Sequence, residues 1–506
     1  MAVSTVEPNT HTHQRTRLGL IMPTGVMLLA LGLRLYQLGT ESLWGDEGCS
    51  LRDATYFTLK GSYRPMYYAV LRGWMELGFG GSEFMLRLPA VFFGVGGVWV
   101  LYLLAKRLMG DSVALLASLF MAVSVLHINH SQEVRMYSLT AFAVLLSMYY
   151  FVLWRDRGRM RYAVGYVVFS LISLLTFPLS VLVLAAQGAY MLMYIRAYRP
   201  QSLFCVGCQL VIAIAWLPWL ITNMHMSQGF SQGYIASLDK PTLVGTVRLM
   251  GDFFLWKSTK SALIYKAGFL GFSLVVILLA VYSLRGFRRQ DSNLALVWIW
   301  LIIPLVATIA LCYSVTNMWM VRYLIFISPA FYILVAKGIL SLRNKWLMAG
   351  LVLALLVPTL GRLWLYYARP VRPEWRPAIA YVQQHERSGD VIGLYSAGNQ
   401  LMFSFYYKGN CAWSPMGEDL TPEEEFTPWD DARVHMLFAE FPLKGKRCWL
   451  MLSKHMFRGG AKIIEYVHKN YRVLDHQIYN ELDVYLFDSQ GKPVPENTLG
   501  KSRTNQ

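Results

Sequence analysis

Arg34–Ser50 reads RLYQLGTESLWGDEGCS. It closes an apolar run that begins at Leu18 and ends near Leu38, long enough to cross a membrane as a retained first helix. Just past that run stand Asp46 and Glu47, two adjacent carboxylates preceded by Trp44, a residue type that favours the membrane–water boundary. A carboxylate beside hydrocarbon has its pKa pushed upward, which suits a general base working near neutrality. The stretch therefore predicts an active site where lipid meets water.

Outward from this stretch the chain stays oily. Of its 506 residues, 55% are hydrophobic and only 15% charged, against roughly 25% charged in a soluble domain; mean hydropathy is +0.37. This is the composition of a polytopic membrane protein. Apolar segments of spanning length lie near 18–38, 88–108, 112–128, 137–154, 162–176, 178–195, 203–222, 262–284, 294–313, 322–340 and 346–366, which predicts about 11 transmembrane helices. Thr176-Phe177-Pro178 interrupts one long run and marks a kink or a break. Residues 18–369 thus form a multi-pass domain behind a cytoplasmic tail, 1–17.

The net charge of +17 comes from arginines and lysines clustered between apolar segments: Lys106-Arg107, Arg155 to Arg161, Arg196 to Arg199, Arg285 to Arg289, and Arg343 to Lys345. With the N-terminus cytoplasmic, all five connections fall on the cytoplasmic side, as the positive-inside rule expects. No basic helix or aromatic RNA-binding motif accompanies the charge, so nucleic acid is not an expected partner. The opposite face receives the loops 39–87, 129–136 and 223–261. An odd helix count sends the chain beyond Pro370 to that face as well.

That tail is a different material. Trp375–Arg387 and Phe457–Tyr471 read as helices, Asp390–Tyr395 and Val484–Phe487 as strands. Residues 370–494 are expected to form a soluble extracytoplasmic α/β domain, followed by a disordered tail, 495–506. Cys411 and Cys448 lie there and are candidates to pair outside the cytoplasm. Cys205 and Cys208 sit inside an apolar helix with no charge nearby, which argues against a redox or metal role.

A second polar cluster, HINHSQEVRMY from His127 to Tyr137, joins two helices at the same outer face. Its candidates are His130, Glu133, Arg135 and Tyr137. Glu133 can hold an acceptor hydroxyl or a metal, and Arg135 can bind phosphate or lock an acid. His127 and His130 can share one ligand across a helical turn. Arg322-Tyr323 opens a long apolar helix at the outer boundary, where an arginine either snorkels or neutralises a lipid phosphate. Lys257 and Lys260 are lesser candidates for that phosphate. Arg34, Arg52, Arg64 and Arg87 add positive charge suited to an anionic head group. No spacing demands a metal, so no obligatory cofactor is expected, with a divalent ion between Asp46, Glu47 and Glu133 as the alternative.

The pieces RLYQLGTESLWGDEGCS, RPMYYAVLRGWMELGFGGSEFMLRLPAVFFGV, HINHSQEVRMYSL and VRYLIFISPAFYILVAKGI stand in one order over roughly residues 34 to 340. In this the chain resembles the bacterial glycosyltransferase family 39 group, relatives of the protein O-mannosyltransferases and the aminoarabinose transferases of lipid A. The resemblance implies a type C glycosyltransferase fold with an outer C-terminal domain. It implies an inverting enzyme that moves a hexosyl or pentosyl group from a polyprenyl-phosphate donor to a lipid, polysaccharide or protein acceptor, at the outer face of a bacterial inner membrane. Asp46 matches the catalytic acid with Glu47 beside it; Glu133 and Arg135 match the second-loop motif; Arg322 matches the arginine near the donor phosphate. The sequence departs from the pattern at Arg64-Pro65, where many relatives have His-Pro, and at Phe177-Pro178, where relatives often show a Tyr-His or His-Tyr element. The alternative reading is a transporter or flippase of lipid-linked glycan. Transporters usually place charge near the bilayer midplane within inverted repeats, and neither feature stands out here.

Overall fold

In hydrocarbon every backbone amide must find its partner within the protein, so runs of about 20 apolar residues fold as helices. The computed structural model describes residues 10–58, 62, 64–224, 239–256, 263–288, 291–395, 399–416, 430–441, 446–453 and 460–491. Each expected apolar segment is part of a helical element. In chain order the elements are α1 (Thr10–Leu35), α2 (Gly45–Thr55), α3 (Pro65–Trp74), α4 (Glu83–Met109), α5 (Asp111–Val123), α6 (Val125–Ser131), α7 (Tyr137–Arg157), α8 (Met160–Thr176) and α9 (Val181–Met193). They continue with α10 (Arg199–Met224), α11 (Leu243–Leu255), α12 (Leu263–Tyr282), α13 (Ser292–Ser314), a 3-10 turn (Val321–Ile327) leading into α14 (Ser328–Leu340), and α15 (Lys345–Ala368).

Among the described residues, six helices are long and apolar enough to cross a membrane, and the bent pair α5–α6, at 59°, makes a seventh. Four further apolar helices, including Met160–Thr176 and Pro178–Met193, are shorter. The interruption at Phe177-Pro178 is a true break: α8 ends at Thr176, and a 3-10 turn separates it from α9. The expected outer loops are more structured than their composition indicated. Segment 39–87 holds α2, α3 and the start of α4; 129–136 begins inside α6; 223–261 holds α11. These helices are short or polar, so a search for spanning segments passes over them. The N-terminal segment 1–17 is helical from Thr10, and residues 1–9 lie outside the described part.

The two ends of the bundle differ in chemistry. At one end Arg107 pairs with Asp156 at 2.8 Å. There too Arg155 donates to Tyr190 and Asn293, and Asn293 donates to the Leu108 carbonyl. The basic connections at Lys106-Arg107 and Arg155–Arg161 therefore share one face with the start of α13. Along α4, Arg87 stands 20 residues from Arg107, about 30 Å at 1.5 Å per residue, the thickness of a bilayer core. At the Arg87 end lie α2, the α6–α7 connection and the C-terminal region. This is a multi-pass membrane protein with its candidate residues gathered at one end.

After α15 the chain forms α16 (Trp375–His385), β1 (Val391–Tyr395), α17 (Gln400–Tyr406), β2 (Ala412–Pro415), α18 (Asp431–Glu440), β3 (Arg447–Ser453), α19 (Gly460–Asn470), β4 (Arg472–Tyr479) and β5 (Leu482–Asp488). The five-stranded sheet has order β2-β1-β3-β5-β4. β1 is parallel to both its neighbours, while β3–β5 and β4–β5 are antiparallel. The expected strands and the helix at Trp375 are present, and the helix expected over Phe457–Tyr471 is present from Gly460, with 457–459 outside the described residues; β2, β3, β4, α17 and α18 are additional, and 495–506 lies outside the described residues. Cys411 and Cys448 are both free thiols. β1 separates them, with Val391 facing Ala412 on one side and Cys448 on the other. Two strand spacings amount to about 9–10 Å, beyond the reach of a disulfide.

Candidate active site

α2 begins directly at the paired acids. Trp44 is extended, with φ −120 and ψ 170, and Glu47, at the third helical position, reaches back so that its Oε2 accepts from the Trp44 amide at 3.3 Å. Acids in a first turn also favour the positive end of the helix. Successive residues on a helix diverge by about 100°, so Asp46 and Glu47 face different surroundings.

Glu47 faces inward and is 0% exposed. Arg87 clasps it in a two-pronged pair, Nε to Oε1 and Nη2 to Oε2, both 2.9 Å. The Val134 amide donates to Oε1 at 2.8 Å, and Arg372 Nη1 lies 3.9 Å from Oε2. Burial pushes this carboxyl up, but Arg372, Arg87 and the Val134 amide outweigh it and hold it below its ordinary value. Arg87, expected among the loop cations, is itself buried, and its other protons go to the carbonyls of Leu38, Glu41 and Ser42. Its charge serves α2.

Asp46 is turned away from that core, with a side chain 28% exposed. Its Oδ2 lies 3.2 Å from Arg322 Nη1 and 3.5 Å from Arg135 Nη2. Arg135 Nη1 also donates to the Asp46 carbonyl at 2.9 Å and to Ser50. Burial pushes the carboxyl up, yet Arg135, Arg322 and Arg64 together hold it below the usual carboxylate range. Arg64, which caps α3 in front of Pro65, thus belongs to the surroundings of Asp46. The Arg322 guanidinium lies 5.9 Å from the Tyr137 ring and 5.6 Å from the Tyr323 ring.

The second cluster separates into two tasks. His130 Nδ1 meets Glu133 Oε1 at 2.5 Å, whereas His127 Nε2 meets Ser328 at 2.8 Å. The two histidines therefore share no ligand. The His130 ring packs between Tyr137 and Trp256, at 4.7 and 5.4 Å. Among the described residues, His130 Nε2, the Tyr137 hydroxyl, Arg135 Nε and Trp44 Nε1 are buried without a hydrogen-bond partner. Buried polar atoms are usually paired, so these four mark capacity that the protein alone leaves unused.

Arg34 is not part of a head-group site. It is fully buried and donates to the carbonyls of Ala30, Ala122 and Met121 and to Ser131. The Met121 and Ala122 carbonyls border the α5–α6 break, and at membrane depth something must satisfy them. Gly94 of α4 makes room: a Cβ there would come within 2.1 Å of Ser131 Oγ. Lys257 and Lys260 lie outside the described residues. Asp46, Glu47 and Glu133 do not converge, because Arg87 takes Glu47 and His130 takes Glu133. Among the described residues no three His, Cys, Asp or Glu side chains form a metal-binding group.

The tail packs against the α2 region. Arg372 donates to the Gln132 carbonyl at 2.7 Å and lies 3.7 Å from Glu41. Arg376 pairs with Glu83 at 2.8 Å, and its amide donates to Ser42. Tyr406 donates to Glu83 and accepts from the Leu43 amide. α17 packs on α2 at Gly48, where a Cβ would fall 1.9 Å from Met402 Cε. Arg372, Arg376 and Tyr406 carry no sequence signal, since more than 300 residues separate them from the α2 region they hold.

The multi-pass bundle with its small mixed-sheet region is similar in fold to proteins of known structure. Residues 62–222, about a third of the chain, match the family model of dolichyl-phosphate-mannose-protein mannosyltransferases. ArnT of Cupriavidus metallidurans in its apo state superimposes with a TM-score of 0.57 at 13% identity, covering 93% of this chain and 99% of that one. The same protein bound to undecaprenyl phosphate gives 0.57 at 14% identity, over 92% and 97%. The apo Archaeoglobus fulgidus oligosaccharyltransferase gives 0.53 at 11% identity, over 94% and 75%. No curated protein matches the chain in sequence. The protein has the type C glycosyltransferase fold, shared with protein mannosyltransferases and aminoarabinose transferases.

Proposed function

We propose that the protein is an inverting glycosyltransferase that moves a sugar from a polyprenyl-phosphate donor to an acceptor hydroxyl at the extracytoplasmic face. The observation that carries this reading is the placement of Asp46, partly open to solvent and held between Arg322 and Arg135. The acceptor oxygen attacks C1 of the sugar from the side opposite the phosphate. The new C–O bond forms as the bond from C1 to the phosphate oxygen breaks, and its electron pair stays on the phosphate. The acceptor proton passes to Asp46.

The arginines act on both partners. Before donor binds, they neutralise Asp46 and weaken it as a base. A phosphate entering beside Arg322 competes for that guanidinium and frees the carboxylate. The same cation then stabilises charge gathering on the leaving phosphate. Glu47, with both oxygens committed, acts as the anchor of α2. The unpaired atoms on His130, Tyr137 and Arg135 add hydrogen-bonding capacity for a sugar or phosphate. The basic connections at the far end support the assignment of this end to the outer face.

The test is purified protein with a panel of polyprenyl-phosphate sugars, following released polyprenyl phosphate by mass spectrometry. Wild type should release it, and Asp46→Asn should be slower by roughly 10²–10⁴-fold. Near-full activity in Asp46→Asn would refute the assignment. No release by wild type from any donor, with acceptors present, would favour the transporter reading.

A further inference from the structure

Glu47 has more positive charge around it than it can bond. Its two oxygens already accept from Arg87 twice, from the Val134 amide and from the Trp44 amide. Arg372 Nη1 stands 3.9 Å from Oε2, outside hydrogen-bond reach, yet the Arg372 side chain is buried. A buried guanidinium is costly unless other groups answer it. The Gln132 carbonyl accepts from its Nη2 at 2.7 Å, and Glu41 lies 3.7 Å from its Nε. These contacts fall on two separate segments. Glu47 is the neighbour of Asp46 on α2, and Gln132 stands three residues before Arg135, whose Nη2 lies 3.5 Å from Asp46 Oδ2. One side chain thus bridges the segment that carries the acid and the segment that carries its arginine. Among the described residues Arg372 makes no ion pair with Asp46 itself, which meets Arg322 and Arg135.

The backbone that carries Arg372 is fixed from the sheet. Pro370 and Pro373 bracket it and keep the stretch between α15 and α16 out of helix. Carbonyls in such a stretch need donors from elsewhere. The turn between β4 and β5 supplies them: Asn480 Nδ2 donates to the Arg372 carbonyl at 2.8 Å and to the Pro370 carbonyl at 3.4 Å. The Asn480 amide donates to Glu374 Oε2 at 2.7 Å, and the Glu374 amide donates back to the Asn480 carbonyl at 3.1 Å. On the other side the Val371 amide donates to Glu41, in the segment leading into α2. The stretch is therefore held between the hairpin and the bundle, and only the Arg372 side chain runs on from it to Glu47 and Gln132.

We infer that Arg372 is a positioning residue, a clamp that sets Asp46 against Arg135, and that the C-terminal region works through Asn480 to hold the clamp in place. The reaction that the clamp serves rests on the glycosyltransferase reading, but the clamp itself does not. The inference makes the sheet region part of the catalytic unit, although it contributes no group to the reacting atoms.

The test uses the full-length protein in detergent and two readouts. In sugar transfer, Arg372→Gln should lower kcat by roughly 10–10²-fold, the scale of a small misplacement at a reacting centre, and leave the donor KM unchanged. Arg372→Lys should fall between the two, since one ammonium cannot span both segments. Asn480→Ala, a change in a partly exposed turn that alters no charge, should lower kcat in the same way by a smaller factor. The second readout needs no substrate. Cys49, on α2 three residues after Asp46, is partly exposed, whereas the other five cysteines are buried. Its reaction with a maleimide therefore reports on α2, and both Arg372→Gln and Asn480→Ala should speed it. If Arg372→Gln fails to fold, Asn480→Ala decides. Wild-type labelling of Cys49 in Asn480→Ala would overturn the inference. So would wild-type kcat in Arg372→Gln, or a rise in donor KM as large as the fall in kcat, which would make Arg372 a ligand of the donor. Faster labelling in the variants without sugar transfer by wild type from any donor would leave the clamp standing and refute the glycosyltransferase reading instead.

Discussion

Replacing Glu47 by glutamine changes almost no volume but removes one acceptor and one charge. Four donors converge on that carboxylate: Arg87 Nε and the Val134 amide at Oε1, Arg87 Nη2 and the Trp44 amide at Oε2. An amide can keep one pair, but its NH2 then faces two donors that have no acceptor. Arg87, which is fully buried, and Arg372 also lose their anion. Breaking a buried pair on one side typically costs about 3–5 kcal/mol, a large part of the roughly 5–15 kcal/mol that holds a domain together. Glu47→Gln should therefore reduce the yield of monodisperse protein and lower the temperature at which it aggregates, read by size-exclusion chromatography after heating in detergent. Asp46→Asn should behave oppositely. Its side chain is partly exposed, so the change in stability should stay below about 1 kcal/mol, while sugar transfer collapses. A stable, inactive Glu47→Gln together with an unstable, active Asp46→Asn would refute the division of roles drawn from the geometry.

Acid should also destabilise the protein through Glu47. Its folded pKa is depressed, so its contribution is complete above the ordinary value of 4.5 and is lost as pH falls through the folded value; Glu47→Gln should flatten that part of a stability–pH curve. Asp46 is likewise held below 3.8 before donor binds, so its ionisation should leave no inflection in kcat/KM between about pH 5 and 8. Gly48→Ala should push Met402 away from α2 and cost about 1–3 kcal/mol of docking, visible as faster proteolysis between residues 369 and 375. Arg322→Ala should lower kcat more than Arg322→Lys, since lysine restores charge but not the guanidinium fork; equal losses would mean that the arginine only packs against Tyr137 and Tyr323.

The sequence by itself determined the helices and the class of chemistry. Apolar runs of membrane length leave the backbone no alternative to helix, so each predicted segment is part of a helical element, and the break at Phe177-Pro178 was readable because proline lacks an amide proton. The gathering of Asp46, Arg135 and Arg322 was also within reach, since all three flank spans on the same expected face. What the sequence did not hold was the difference between Asp46 and Glu47, which are identical in kind and adjacent in the chain. Nor did it show that Arg34 and Arg87 are buried, or that Arg372 reaches Glu47. Those outcomes depend on the α5–α6 break that Arg34 fills, on which side of α2 faces Arg87, and on a roof whose contacts come from more than 300 residues away. Only the tertiary structure decides them, because one step along a helix turns a side chain by about 100°, and that turn is enough to seal one carboxylate in the core and leave the other partly exposed.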